Sequence, residues 1–157
     1  MKYKTRELSG ARLDQAVAKA CGYLYDKNIS EDFIVTTLDT TIPPRPPEHV
    51  HREVCRVVID GQERSFCPSS EWVHGGPIIE RERISILPAT KEVKADKNYR
   101  RRMGRHFMPE QDGWVAGYEP ITHIEFDWGG ASEVGSTPLI AAMRVFVLAK
   151  IGKEVDL

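Results

Sequence analysis

Residues 67–86 read C-P-S-S-E-W-V-H-G-G-P-I-I-E-R-E-R-I-S-I and gather side chains with three kinds of chemistry. Ser69 or Ser70, with His74 and Glu71 close by, holds the groups of a nucleophile, a base and an orienting acid. Such triads are usually assembled from separate elements, and G-x-S-x-G is absent, so the serines read equally as caps of a helical turn. Glu80 and Glu82 form a carboxylate pair at period two, but the intervening Arg81 and Arg83 make an ion-paired strand the plainer reading. The third chemistry is a small-ligand pocket. Gly75 and Gly76 let backbone approach a ligand, Trp72 offers a flat apolar surface, and Ser69, Ser70 and His74 border it. Amide groups of a capped turn would face an anion, with Arg81, Arg83 or Arg144 as bidentate phosphate partners. Against this stand a core role for Trp72 and a helix-stop role for the glycines.

Two other constellations are weaker. His49, His51, Cys55, Cys67 and His74 include an H-x-H pair that a strand would project to one face. Their scatter and the lack of C-x-x-C favour surface histidines, and neither a metal nor a cofactor is expected. In residues 99–106, Tyr99, Arg100, Arg101, Arg102 and Arg105 form a basic patch with an aromatic, suited to gripping phosphates and stacking a base. A basic loop without a ligand is its ordinary counterpart.

The elements that position these residues follow from periodicity. Ser9 precedes a helix whose apolar positions Leu13, Ala16, Val17 and Ala20 recur at three and four, giving one buried face before Gly22. Residues 33–38 read as a strand, followed by a proline-rich loop. Residues 53–59 and 62–66 flank Asp60-Gly61, the pair expected in a type I′ hairpin turn. A single helical turn through Glu71 and Trp72 is expected to stop at Gly75-Gly76-Pro77, and residues 78–86 then leave as a strand with a bulge. Residues 91–112 read as an excursion without an apolar period, and 114–118 and 121–128 as further strands. Thr137 and Pro138 open a last helix with Leu139, Ile140, Met143, Phe146, Val147 and Ile151 along one stripe. The expected fold class is α+β, a small sandwich of a mainly antiparallel sheet packed with N-terminal and C-terminal helices.

Composition narrows the function classes. The 157 residues suit a single domain, 1–157, with 28–66 and 91–112 as insertions or excursions on it. Lys plus Arg total 22 and Asp plus Glu 23, so no global field draws in nucleic acid or an anionic membrane. No apolar h-region or spanning segment is present, and three cysteines without C-x-x-C fit reduced thiols in a cytoplasm.

Three blocks carry a resemblance. L-S-G-A-R-L-D-Q-A-V-A-K-A at 8–20, S-S-E-W-V-H-G-G-P-I-I-E-R-E-R-I-S at 69–85 and G-S-T-P-L-I-A-A-M-R-V-F-V-L-A-K-I-G-K-E-V at 135–155 together resemble the NinX-like family of tailed-phage and prophage proteins. They occur in the family's order and cover about a third of the chain. The chain departs from the family's commoner T-D-W-A-Q, carrying S-E-W-V-H, and has extra sequence at 28–66 and 91–112.

The resemblance implies a small accessory protein in the host cytoplasm and brings no established activity with it. Small phage proteins of this kind without catalytic signatures commonly act by binding. The expectation is therefore a non-catalytic protein that binds, and sequesters, a small phosphorylated or nucleotide-type ligand such as a host defence signal. A homo-oligomer sharing pockets is the expected form, with a host protein as a further possible partner and no membrane. The alternative is a protein- or nucleic-acid-interaction module working through 99–106 and the proline-rich loop. A hydrolase using Ser70, His74 or the Glu80 and Glu82 pair is the third reading.

Overall fold

The computed structural model describes residues 1–26, 30–35, 48–89, 113–118 and 132–157. The basic patch at 99–106, the excursion at 91–112, the strand expected at 121–128 and residues 40–47 of the proline-rich loop lie outside them, while Glu48 and His49, expected to end that loop, instead begin a strand.

Strand β1 (Lys2–Lys4) leads through a short 3-10 turn (Thr5–Glu7) into helix α1 (Gly10–Ala20). β2 (Leu24–Tyr25), β3 (Ser30–Val35), β4 (Glu48–Glu53), β5 (Arg56–Ile59) and β6 (Gln62–Ser65) follow. Helix α2 (Trp72–Glu82) precedes β7 (Ser85–Ala89), β8 (Gly113–Gly117) and β9 (Ser132–Gly135), and helix α3 (Pro138–Lys150) leads to β10 (Glu154–Asp156). Every described strand pair is antiparallel, and the strands form small separate ladders. β1 pairs with β10, β3 with β4, β5 lies between β2 and β6, and β8 lies between β7 and β9. The α+β class therefore holds, with the sheet divided rather than continuous.

Helix α3 is the hub. Thr137 caps it by accepting the Ile140 amide at 3.2 Å, and Pro138 takes the first turn, where its missing N–H costs nothing. Its expected stripe widens into near-complete burial: Leu139, Ala141, Ala142, Met143, Val145, Phe146 and Val147 are all in the core. The small Ala141 and Ala142 let neighbours close in on the second face. An apolar mean composition with no polar side is what a helix surrounded by other elements needs, and α1, α2, β7, β8 and β9 all pack on it.

Helix α1 also departs from a single buried face. Leu13, Ala16 and Val17 enter the core as their spacing predicts, but Asp14 and Gln15 are buried as well. Asp14 Oδ1 accepts the Ser69 amide at 2.8 Å, and Gln15 Nε2 donates to the Asp26 carbonyl at 3.1 Å, so both polar groups serve neighbouring backbone. The helix ends as expected at Gly22, φ +75°, where the Tyr23 amide donates back to the Ala18 carbonyl.

The hairpin forms at its expected turn. β5 and β6 pair from Arg56↔Ser65 to Ile59↔Gln62, with Asp60 at φ +52° and Gly61 at φ +73°, both signs that a type I′ turn requires. The second half of the segment 28–66 supplies Cys55, Val57 and Phe66 to the core.

The largest correction concerns residues 72–86. Gly75-Gly76-Pro77 does not end a helical turn; α2 runs through it to Glu82, and residues 78–82 are helical rather than extended. Gly75 and Ile78 are buried while Ile79 and Glu82 are half-buried, which is one helix face at i, i+3, i+4 and i+7. Pro77 is exposed, so the backbone bond it forgoes lies toward solvent, where water can replace it. The stop comes instead at Arg83, which adopts the left-handed conformation (φ +53°) as the Ile84 amide returns to the Ile79 carbonyl. Glu80 and Glu82 thus do not share a face. β7 then carries Pro88 on the edge of its ladder, where no amide donor is needed.

Candidate functional site

The turn that precedes α2 is held from several sides. Pro68 is fully buried and Ser69 nearly so, with the Ser69 amide spent on Asp14. The Ser70 and Glu71 amides both donate to the Cys67 carbonyl, at 3.1 and 2.8 Å, which makes residues 67–71 one tight helical turn. The Cys67 amide donates to His74 Nδ1 at 3.1 Å, and the His74 ring packs tilted against Phe66, 5.9 Å between centroids. Glu71 Oε2 lies 3.4 Å from the same nitrogen. A nitrogen that accepts the Cys67 proton has none to give Glu71, so the backbone contact defines the ring's role. His74 braces the turn.

Gly75 closes the assembly. A Cβ built there would lie 2.5 Å from the Pro68 carbonyl oxygen and 2.8 Å from Leu139 Cδ2. Only a residue without a side chain lets α2 sit this close to the turn and to α3. Gly76 is different, since its nearest neighbour for a Cβ is Trp72 Cε3 at 4.0 Å.

Trp72 and Val73 stand outward from this scaffold, 57 % and 73 % exposed. The indole is therefore not core. The groups expected to join it are divided. Ser70 is exposed beside it in sequence, but its hydroxyl turns to the Cys67 carbonyl at 3.5 Å. Ser69 and Gly75 are internal, so neither amide nor backbone there faces a ligand. Arg81, on α2, and Arg83, just past its end, lie nine and eleven residues from Trp72, about 14–17 Å at the helical rise. Arg144 is committed elsewhere: Nε donates to the Leu8 carbonyl at 2.9 Å and Nη1 to the Val134 carbonyl at 2.8 Å.

The C-terminal end of α2 forms its own polar cluster. Glu82 receives Arg81 Nε at 3.1 Å and Lys150 Nζ at 3.0 Å, and the Tyr118 hydroxyl lies 3.5 Å from its Oε2. Burial pushes the Glu82 carboxyl up, yet the hydrogen bonds and charges of Lys150 and Arg81 outweigh it and bring the group below its ordinary value. Burial, then the Glu82 charge, pushes the Tyr118 hydroxyl up to about 12. A carboxylate depressed in the fold stabilises above its unfolded value and loses that contribution as pH falls through the folded one. Glu82→Gln should therefore cost about 1 kcal/mol at neutral pH, the partners being half-exposed, and less at pH ~3. Urea unfolding at the two pH values measures this; an equal cost at both would assign the role to packing.

The cysteines are free thiols. Cys55 is buried, which together with the nearby Asp14, Cys67 and Asp26 pushes its thiol up to about 12 and leaves little thiolate for metal or redox chemistry. Cys21 is half-buried against Arg81, and burial pushes its thiol up despite that guanidinium. Among the described residues, no group of His, Cys, Asp and Glu is arranged to hold a metal ion. Among them too, no helix is long and apolar enough to cross a membrane.

Taken together, the architecture is that of a small α+β protein in which antiparallel ladders pack on a buried C-terminal helix. Residues 4–150 match the model of the family described as Bacteriophage P22, NinX, and the chain belongs to that family. The matched range takes in every described element from α1 to α3. No curated protein matches the chain.

Proposed function

We propose that this phage protein is a non-catalytic accessory factor of the host cytoplasm that binds, and thereby sequesters, a small phosphorylated or nucleotide-type ligand, such as a host defence signal, as a homo-oligomer. The observation that carries this reading is Trp72, 57 % exposed at the start of α2, beside a turn braced through Ser69, His74 and Gly75. A large aromatic held on rigid backbone loses little freedom when a base or sugar stacks on it, so its area converts efficiently into affinity. The bracing role of His74, whose Nδ1 accepts the Cys67 amide, and the turn of the Ser70 hydroxyl to the Cys67 carbonyl favour binding over hydrolysis, because the would-be base and nucleophile both contact backbone.

A host-protein partner is the second reading. Val73, 73 % exposed next to Trp72, extends the apolar surface, and the arginines expected to read phosphate lie at the far end of α2. Aromatic anchors on rigid turns are equally the material of protein hot spots.

Trp72→Ala tests both. As an exposed residue it should change stability by no more than about 0.5 kcal/mol. Loss of a stacked base should weaken ligand binding by about 1–3 kcal/mol. Native mass spectrometry of protein from infected cells should show a phosphate-containing adduct that the variant lacks. An adduct retained by Trp72→Ala would remove the indole from the site, and a protein adduct lost with it would select the second reading.

A further inference from the structure

Away from residues 67–77, a cleft of about 280 Å³ opens beside β1, lined by Lys2, Tyr3, Lys4, Glu7, Leu8, Ser9 and Arg12. Its volume falls just below the range of about 300–1,000 Å³ for drug-sized ligands, which suits a more compact phosphorylated molecule. Three cations line it against one carboxylate. Glu7 is shared between Lys4 at 3.4 Å and Arg6 at 4.0 Å, leaving Lys2 and Arg12 without an ion pair among the described residues. Across the ladder Asp156 and Glu154 are in register with Lys2 and Lys4; Asp156 binds the terminal ammonium at 2.7 Å, with the Lys19 and Lys2 charges acting on it more weakly. Arg12 is held with its guanidinium carbon 5.2 Å from the centre of the Tyr3 ring, which orients the fork without using its donors. The cleft walls are also well anchored: Thr5 is buried, its hydroxyl donating to the Gly152 carbonyl at 2.7 Å and its amide to the Lys153 carbonyl at 2.9 Å.

We infer that this cleft is an anion site for a phosphate monoester, with Arg12 as the bidentate partner and Lys2 and Lys4 as flanking charges. A monoester carries nearly two negative charges at neutral pH, matching the excess of cations over Glu7, whereas a phosphodiester carries one. None of the lining residues belongs to the Trp72 turn, so the inference stands or falls separately from the proposed stacking surface.

The test is a titration of the full chain with inorganic phosphate and with ribose 5-phosphate at low salt, followed by amide chemical shifts. Saturable shifts should concentrate at residues 2–12. Arg12→Gln and Lys2→Gln should each weaken binding at least tenfold, Arg12→Lys should weaken it less than Arg12→Gln, and the exposed Arg64→Gln should leave it unchanged. The inference is overturned if no saturable shift appears, if Arg12→Gln binds as the parent does, if Trp72→Ala abolishes the shifts, or if a single-stranded oligonucleotide outcompetes both monoesters.

Discussion

Replacing Arg144 by Met should cost the fold about 3–5 kcal/mol, the size expected when one partner of a buried charged network is removed. The guanidinium joins three elements: it donates to the Leu8 carbonyl ahead of α1 and the Val134 carbonyl in β9 while anchored on α3. It also faces Glu133, only 6 % exposed, whose carboxyl is pushed up by burial even though Arg144, the Val134 amide and Arg6 pull it down. Without Arg144 that carboxylate and two carbonyls lose their partner at once. At 2–4 °C per kcal/mol for a chain of this size, the melting midpoint should fall by roughly 6–20 °C.

The pH dependence carries a sign. A carboxyl raised in the fold contributes stability that is full below its unfolded value and lost as pH rises toward the folded one. Arg144→Met should push Glu133 further up, so the variant should lose more stability than the parent between pH ~5 and ~7. Adding Glu133→Gln should return part of the loss and flatten that slope. Thermal melts across this range decide it. A variant that melts within 2 °C of the parent at every pH would reduce Arg144 to a surface residue and reopen its candidacy as a ligand contact.

Gly75→Ala should destabilise by about 1–3 kcal/mol, against the usual helix rule that alanine for glycine gains up to about 1 kcal/mol. The added methyl meets the Pro68 carbonyl oxygen at 2.5 Å and Leu139 Cδ2 at 2.8 Å. Leu139 has rotamers to change, but Pro68 is buried backbone in a turn tied to Asp14 through Ser69, so α2 must move instead. Gly76→Ala is the internal control, because its Cβ would be 4.0 Å from Trp72 and in ordinary contact. It should be neutral or stabilising. Urea midpoints of the two variants should therefore move in opposite directions or differ by more than about 1 kcal/mol; equal midpoints would mean that the close approach of α2 to the turn is not tight in solution. Loss of Gly75 should also displace Trp72, three residues earlier on the same first turn, whereas Gly76→Ala should not.

Local grammar carried a good share of this fold. Thr137-Pro138 opens α3 where a cap and a first-turn proline say it must, Gly22 closes α1, and Asp60-Gly61 turns the β5–β6 hairpin. These are decided by bonds and dihedrals within a few neighbouring residues, which is the information a short stretch of sequence contains. The family, too, was legible, in blocks whose residues keep their order along the chain.

Residues 72–82 were not legible in the same way. Gly75-Gly76-Pro77 is a stop by local propensity, yet a helix continues through it because Ile78, Ile79 and the face containing Gly75 and Glu82 gain more from packing than the glycines and proline cost. A Gly-x-x-Ile-Ile-x-x-Glu spacing was the available signal, hidden by the strand-like look of the alternating glutamates and arginines.

The candidate site divides along the same line. Sequence alone determined which side chains have the chemistry to bind a ligand: an indole, a histidine, glycines and several guanidinium groups. Only the tertiary structure decided which of them are free to use it. Arg144 is drawn to carbonyls 136 and 10 residues away, and Asp14 reaches 55 residues to the Ser69 amide. His74 is consumed in bracing the turn, while Trp72 is turned out to solvent. A buried donor or acceptor must find a partner wherever the fold brings one, and that partner is distant in sequence, so its identity is written in no local pattern.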